Sequence, residues 1–420
     1  MRFFYAAFVA LITCPTLSAQ PPTDAQALQR LGMSSQRLAL LNSVLQQHVA
    51  DKRVAGLVAG IMHKGELVYL QAMGSQVLGE TAMREDSLFQ VRSMSKPITA
   101  VAALQLVERG VLNLEDPVAD YIPSFAAVRV FNDPQNPDLN DTREPIRDIN
   151  IADLLKNTAG LSHRFSPLYR SNAVRSRSDT LAELSDKVAA IPLIGDPGEQ
   201  WVYSISLTIL GRVIEVATGT AFDQYLQDNV FAPAGMEDTG FFVPLEKQQR
   251  LARAYASAKT DDEGWTLSAL PAMEVPITED PPLKEGAAGL VSSAPDYLNF
   301  LHMLLNQGAI NGNRILSAAT VSEMTRNQID PRLMPFGTNP AQPMLDRSWG
   351  YGLAVVVDAD QSAVATQEGE FGWSGSLGTF AWADPTTQTA YVLMLQVQPA
   401  GAHALAQQFK PLATAAVLAD

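Results

Sequence analysis

The sequence predicts an α/β fold of the segregated, α+β kind. One antiparallel sheet is flanked by helices, a second lobe is mainly helical, and the cleft between them is the place for a ligand. Three observations carry this. Strand-like runs occupy the two ends of the chain, at about 55–75 and 350–400. The stretch between them, roughly 97–284, reads as helices and loops. A hydrophobic content of 47% with 18% charged residues over 420 positions describes a globular chain with a large core.

In chain order, Met1-Arg2 is a positive tip, Phe3 to Ile12 is almost wholly apolar, and small or turn-forming residues lead to Ala19-Gln20. This is the pattern of a secretory signal peptide, 1–19, and places the protein in the periplasm or outside the cell. The apolar run is too short to span a bilayer. The single cysteine, Cys14, offers a lipid anchor as the alternative, against which the bulk of Thr13 counts. Residues 20–33 read as a polar leader and 34–420 as the domain that carries the chemistry.

Ser34 or Ser35 caps a helix with the apolar face Leu38, Leu41, Val44, Leu45 and Val49. His48 lies beside that face as a structural histidine. Leu57 to Met62 and Leu67 to Gln71 form a hairpin about Lys64-Gly65. Ile98, Val101, Leu104 and Val107 mark a long helix that stops at Gly110. Shorter helices run from Asp153 to Gly160, from Ser206 to Ala217, and from Pro295 to Gln307. Strands follow at Gly352 to Val357, Thr379 to Ala383 and Ala390 to Val397, with a turn at Asp384-Pro385. The chain ends in a helix, His403 to Leu418, interrupted at Pro411. Asp133 to Pro145 and Pro271 to Pro282 are surface loops.

The net charge of −14 argues against nucleic acid and against an anionic membrane surface as partners. Beyond Cys14 no disulfide or thiolate metal site is possible. No Walker loop, dinucleotide fingerprint, H-E-x-x-H helix or G-x-S-x-G elbow occurs, so no metal and no cofactor is expected. The five histidines are scattered, and His163, which follows a helix end and could approach the cleft, reads as a loop residue.

Chemistry concentrates in Phe89-Gln90-Val91-Arg92-Ser93-Met94-Ser95-Lys96-Pro97. Ser93 and Lys96 are three apart, so on a helix they share a face. A helix N-terminus favours negative charge developing at the Ser93 hydroxyl, while that field and burial lower the pKa of Lys96 and free it to act as a base. Pro97 fits only in the first helical turn. Alone, the S-x-x-K spacing is weak evidence, and a bland helix start with a solvated lysine is the default reading. Two other stretches join it. Pro197 to Ser204 leads into a helix and presents Tyr203 as a second base or as a packed aromatic. Gly372-Trp373-Ser374-Gly375-Ser376-Leu377-Gly378 precedes a strand, and the amides of Ser376 and Ser93 can form an oxyanion hole. Gly286 to Leu290, with Gly289, suits a tight passage before a helix.

Ser93-Met94-Ser95-Lys96, Tyr203-Ser204-Ile205 and Trp373-Ser374-Gly375, in that order, resemble the three motifs of the serine β-lactamase and penicillin-binding protein superfamily. The phrases 110–117, 154–161 and 287–294 resemble its class C-like branch, which includes family VIII carboxylesterases. The resemblance covers Leu38 to the C-terminus and implies a β-lactamase-like fold. It also implies an acyl-enzyme on Ser93, with Lys96 and Tyr203 sharing the proton transfers. Ile205 stands where many relatives have Asn, and Trp373 where they have a cation that anchors a substrate carboxylate. Losing such a charge-assisted contact costs on the order of 1.5–3 kcal/mol. Both departures point away from β-lactams and toward uncharged acyl esters.

The expectation is therefore an exported serine hydrolase, a carboxylesterase on small or medium acyl esters. Its catalytic residues are Ser93, Lys96 and Tyr203, and its substrate contacts are Trp373, Ser374, Gly375, Ser376, Ile205 and Gly289. The alternatives are a β-lactamase or DD-/D-amino peptidase-like hydrolase acting on amides, an acyltransferase, or a non-catalytic ligand-binding or sensor relative. Intact Ser93, Lys96 and Tyr203 speak against the last.

Overall fold

The apolar runs near the two ends of the chain lie side by side. In the computed structural model, which describes residues 20–261, 264–334, 337 and 343–418 (with 400–404 as backbone only), they build one eight-stranded antiparallel sheet. The segment read as a signal peptide, with Cys14, lies outside the described residues. The strands are β1 (Gly56–His63), β2 (Glu66–Val77), β3 (Thr81–Ala82), β4 (Arg347–Trp349), β5 (Ala354–Val356), β6 (Phe371–Ser374), β7 (Phe380–Asp384) and β8 (Thr389–Met394). Their spatial order is β4-β5-β6-β7-β8-β1-β2-β3, so β1 pairs with β8 across the two chain ends, Ile61 opposite Tyr391. The β1–β2 turn has positive φ at both Lys64 (50°) and Gly65 (84°), as a two-residue hairpin with right-handed twist requires.

Both faces of the sheet are covered, which is why its central strands read as unbroken apolar runs. Along β1, Leu57, Ala59 and Ile61 enter one core with α1 (Ala25–Arg30), α2 (Ser35–Ala50) and the C-terminal helix. Val58 and Met62 enter the other core, shared with the helix Ala294–Leu305. Gly60 sits where Leu298 comes closest, since a Cβ there would lie 2.8 Å from its Cδ1. Residues 20–33, expected as a polar leader, are part of this packing. Asp24 caps α1, Leu28 and Met33 are buried, and Ser34 caps α2.

The second lobe is centred on α3 (Ser95–Glu108), which is buried from Ser95 to Leu106. A helix apolar all round belongs in a core, and its polar groups find partners there: Thr99 donates to Gly286 O at 2.8 Å and Gln105 to Asn229 O at 2.9 Å. Around it stand α4 (Ile151–Lys156), which ends in left-handed Asn157, and α5 (Ser206–Thr218), which ends in left-handed Gly219. The expected helical middle also holds a hairpin, Tyr255–Lys259 with Trp265–Ala269, to which Val397–Pro399 adds in parallel. Its alternation is too short to stand out from the flanking loops.

The helix Ala294–Leu305, α6, ties the sheet to the site, because Tyr297 donates its hydroxyl to Met94 O at 2.7 Å. Beside it Asp296 is 5% exposed and accepts from Asp238 N (2.8 Å) and Thr239 Oγ1 (2.7 Å). Burial pushes its carboxyl up to about 7 from 3.8, with the nearby Asp238 charge adding and the Thr239 bond opposing. Between those values the folded state holds a proton that the unfolded chain releases, so stability falls as pH rises toward 7. Asp296→Asn keeps an acceptor and is expected to exceed the parent in stability at pH 8, by roughly 2–4 kcal/mol at most, and to keep less than half of that advantage at pH 5. Denaturant melts at the two pH values check it. An advantage independent of pH would contradict the assignment.

Candidate active site

Ser93 lies in a single 3₁₀ turn, Arg92–Met94, that runs directly into α3. The turn is held from several sides. Val91 N–H donates to Leu290 O at 3.0 Å. The Ser95 hydroxyl donates to Arg92 O at 2.7 Å and accepts from Leu290 N at 3.1 Å. Arg92 adopts φ 51°, a conformation that costs a long side chain about 1–3 kcal/mol and persists only where the surroundings fix it. Ser93 itself is half-buried.

One turn on, Lys96 is 2% exposed. Its ammonium donates to Ala287 O at 2.9 Å and lies 4.4 Å from the centre of the Tyr203 ring. Burial lowers its pKa from the usual lysine range; contact with Tyr203 opposes this, and the Arg164 charge adds to it. Ala287 is fixed in turn by donating its N–H to Thr208 Oγ1 on α5 at 3.1 Å, and Gly286 runs so close to Leu207 O that a Cβ would lie 2.6 Å from it.

Tyr203 sits just before α5. The main chain around it is anchored by Asn157, which accepts from Ser204 N at 3.2 Å and from Ser204 Oγ at 3.1 Å, and whose own carbonyl accepts from Val202 N at 2.9 Å. The Tyr203 ring is enclosed by aromatics. His163 stacks on it at 5.9 Å, and Trp201, Trp349 and Trp373 lie at 6.0, 6.2 and 5.5 Å. The Trp373 indole N–H donates to the Tyr203 hydroxyl at 2.8 Å. Burial, with the Arg164 and Lys96 charges, pushes His163 down to about 4, so it is neutral over the ordinary working range.

The third stretch is a hairpin rather than a loop leading into a strand. Residues 371–374 are themselves β6, paired with β7, and β6 packs against the Ser93 turn. Ser374 and Ser376 are exposed, while Gly375 is buried. A Cβ on Gly375 would clash with Val91 O and Thr379 Oγ1, and Thr379 itself donates to Val91 O at 3.2 Å. Gly375 thus sets how near this hairpin comes to Ser93. Gly375→Ala is expected to destabilise by about 1–3 kcal/mol and to cut turnover in the fraction that folds; thermal melts with assays on the soluble protein check it.

Ser93, Lys96, Tyr203, Ser374 and Ser376 are thus gathered by two helix starts and one hairpin. Three expected substrate contacts are buried. The Ile205 side chain, at the N-cap of α5, is fully buried in the main core. Gly289 closes a turn, donating to Glu285 O at 2.7 Å, where a Cβ would meet Phe241 and Glu285. Trp373 is 8% exposed, with its ring against Trp349 at 4.7 Å and its N–H on Tyr203. Sequence reasoning preferred a loop role for His163 and missed the anchoring by Asn157 and the buried ion cluster of Arg164, Arg175 and Glu285. Glu285 comes together with the two arginines across 121 and 110 residues, a separation no local spacing encodes. Among the described residues there is no group of three or more His, Cys, Asp or Glu suited to a metal ion, and no helix long and apolar enough to cross a membrane.

Comparison with known proteins agrees with this architecture. The family model described as Beta-lactamase matches residues 41–414. Protein Rv1367c of Mycobacterium tuberculosis is 30% identical over 353 residues, covering 82% of this chain and 86% of that one. Esterase EstB of Burkholderia gladioli is 29% identical over 382 residues, covering 85% and 89%. Among solved structures, EstCE1, a hydrolase with promiscuous acyltransferase activity, superposes with a TM-score of 0.76 at 25% identity, covering 91% of this chain and 99% of its own. The sheet flanked by helices is accordingly the β-lactamase fold, and the chain belongs to the β-lactamase family.

Proposed function

We propose that the protein is a serine hydrolase that works through an acyl-enzyme on Ser93, and that it is a carboxylesterase on small or medium acyl esters. The observation that carries this reading is the buried Lys96, drawn toward its neutral form beside Tyr203 and one turn from Ser93. A lysine held as a free amine accepts the proton of a nearby hydroxyl. Ser93 Oγ attacks the ester carbonyl carbon and its proton passes to the Lys96–Tyr203 pair. The tetrahedral oxyanion rests on the Ser93 and Ser376 amides. The alcohol departs with the proton from the pair. Water then adds to the acyl carbonyl, giving its proton to the same pair, and the carboxylic acid leaves as Ser93 recovers it. Trp373 N–H supports the step by holding the Tyr203 oxygen in one place.

The esterase relative EstB supports ester over amide substrates. The acyltransferase activity in the description of EstCE1 favours a second reading, in which an alcohol replaces water in the last step.

Intact-mass spectrometry of the purified protein with a fluorophosphonate, alongside p-nitrophenol release from p-nitrophenyl butyrate, tests the reading. One adduct on Ser93 with product release is expected, and added butanol diverts part of the acyl group to butyl butyrate if transfer occurs. The starting mass also reports whether 1–19 has been removed. An adduct on another residue, or neither adduct nor release, overturns the proposal.

A further inference from the structure

Arginines gather around Arg92, the residue before Ser93, and they outnumber the carboxylates that bind them directly. Arg92 immediately precedes Ser93, and Arg164, Arg175 and Arg177 are its charged neighbours together with Glu285. Glu285 is fully committed: Arg175 binds both its oxygens, at 3.0 and 2.8 Å, and Arg164 binds Oε2 at 2.9 Å. Burial works to raise the Glu285 carboxyl, but Arg164 and Arg175 outweigh it and hold it well below the usual range. Asp179 is taken by Lys187 at 2.7 Å, and Glu274 by the Ser176 hydroxyl and the Arg177 main chain.

Two guanidinium groups have no carboxylate as a direct partner, although the Glu285 and Glu274 charges reach Arg177 from a distance. Arg177 is 5% exposed, its Nε donates to Val275 O at 3.0 Å, and its Nη2 has no hydrogen-bond partner. Arg92 is half-buried, and its Nη2 donates to the Met273 sulfur at 3.6 Å, a weak acceptor. Burial, together with the Arg164 charge, draws Arg92 down to about 10. Buried charges are ordinarily paired, because an unpaired one is costly to keep out of water. An anion entering beside Ser93 would remove that cost, and a planar carboxylate fits the donor fork of a guanidinium.

We propose that Arg92 and Arg177 form a carboxylate-binding subsite next to Ser93, so that the favoured esters carry a free carboxylate on the acyl or alcohol part. This rests on the hydrolase reading and revises the uncharged substrate expected from Trp373. The cation absent from the third motif is supplied by the residue before the nucleophile and by the 175–177 segment.

The test compares kcat/KM for two matched pairs: 4-(butanoyloxy)benzoate against its methyl ester, and the mono-p-nitrophenyl ester of suberic acid against p-nitrophenyl octanoate. At least one pair is expected to favour the anion by about tenfold or more, and Arg177→Gln and Arg92→Asn (Asn tolerates positive φ) to bring that ratio toward one. A ratio of one or below in both pairs, or a preference unmoved in both variants, overturns the subsite. Calorimetry on the unmodified protein with 4-butoxybenzoate and 4-butoxybenzamide decides the matter without turnover or variants. Binding of the acid and not the amide is expected, and equal or absent binding counts against the proposal. Selective acid binding with no fluorophosphonate adduct would sink the hydrolase reading and leave the subsite. Turnover of neutral esters with no carboxylate preference does the reverse.

Discussion

Ser93→Ala leaves the fold intact and lowers kcat/KM for p-nitrophenyl butyrate by about 10³-fold or more. The turn that carries Ser93 is held by the Val91 amide, the Ser95 hydroxyl and the Tyr297 hydroxyl, none of which uses the Ser93 side chain. Removing one oxygen therefore deletes the attacking group and little else. Circular dichroism and thermal melting should match the parent, and fluorophosphonate labelling should vanish with activity. Turnover within tenfold of the parent would mean that the acyl group is never carried on this residue.

Lys96→Met is the second large effect. Lys96 is enclosed, makes one main-chain hydrogen bond and lies against the Tyr203 ring, so methionine fills the same space without a charge to bury. Activity is expected to fall by about 10²–10⁴-fold, with stability unchanged or higher, since replacing a buried ion by an apolar group of similar volume is often neutral or favourable. The pH dependence separates the roles. In the parent, the free amine grows as pH rises through the lowered pKa of Lys96, so the rate climbs and then levels below the usual lysine value of 10.5. Between the lowered value and 10.5 the unfolded chain binds more protons than the folded one, so the Lys96 contribution to stability also rises with pH. The variant is expected to lose both slopes. A surviving rate limb of the same position would assign it to another group.

What the sequence made legible was local. Ser93 and Lys96 are three residues apart, Tyr203 lies just before a helix, and the apolar stripe of α2 follows the helical period, so their neighbourhood is written in their spacing. Contacts that depend on the return of a distant segment were not. His163 meets Tyr203 across 40 positions, and the strand character of Phe371–Ser374 is diluted by Gly372 and Gly375, residues there for close approach rather than for strand propensity. Ile205 shows a different limit. A position inferred to face substrate by analogy lies at the first turn of α5, and an isoleucine there turns into the core because that is where its area is covered.

The pairing of β1 with β8 has a consequence for biosynthesis. Residues 58–63 pair with β2 early, but on their other side they meet only 389–394, so that edge at the centre of the sheet stays open until nearly the whole chain has left the ribosome. Contacts of such sequence separation form late and slowly. A nascent chain stays open through most of its synthesis, and one that stops short of residue 389 offers β1 as an unpaired apolar edge. Truncated products are thus expected to be more prone to aggregation or proteolysis than the chain whose sheet is closed.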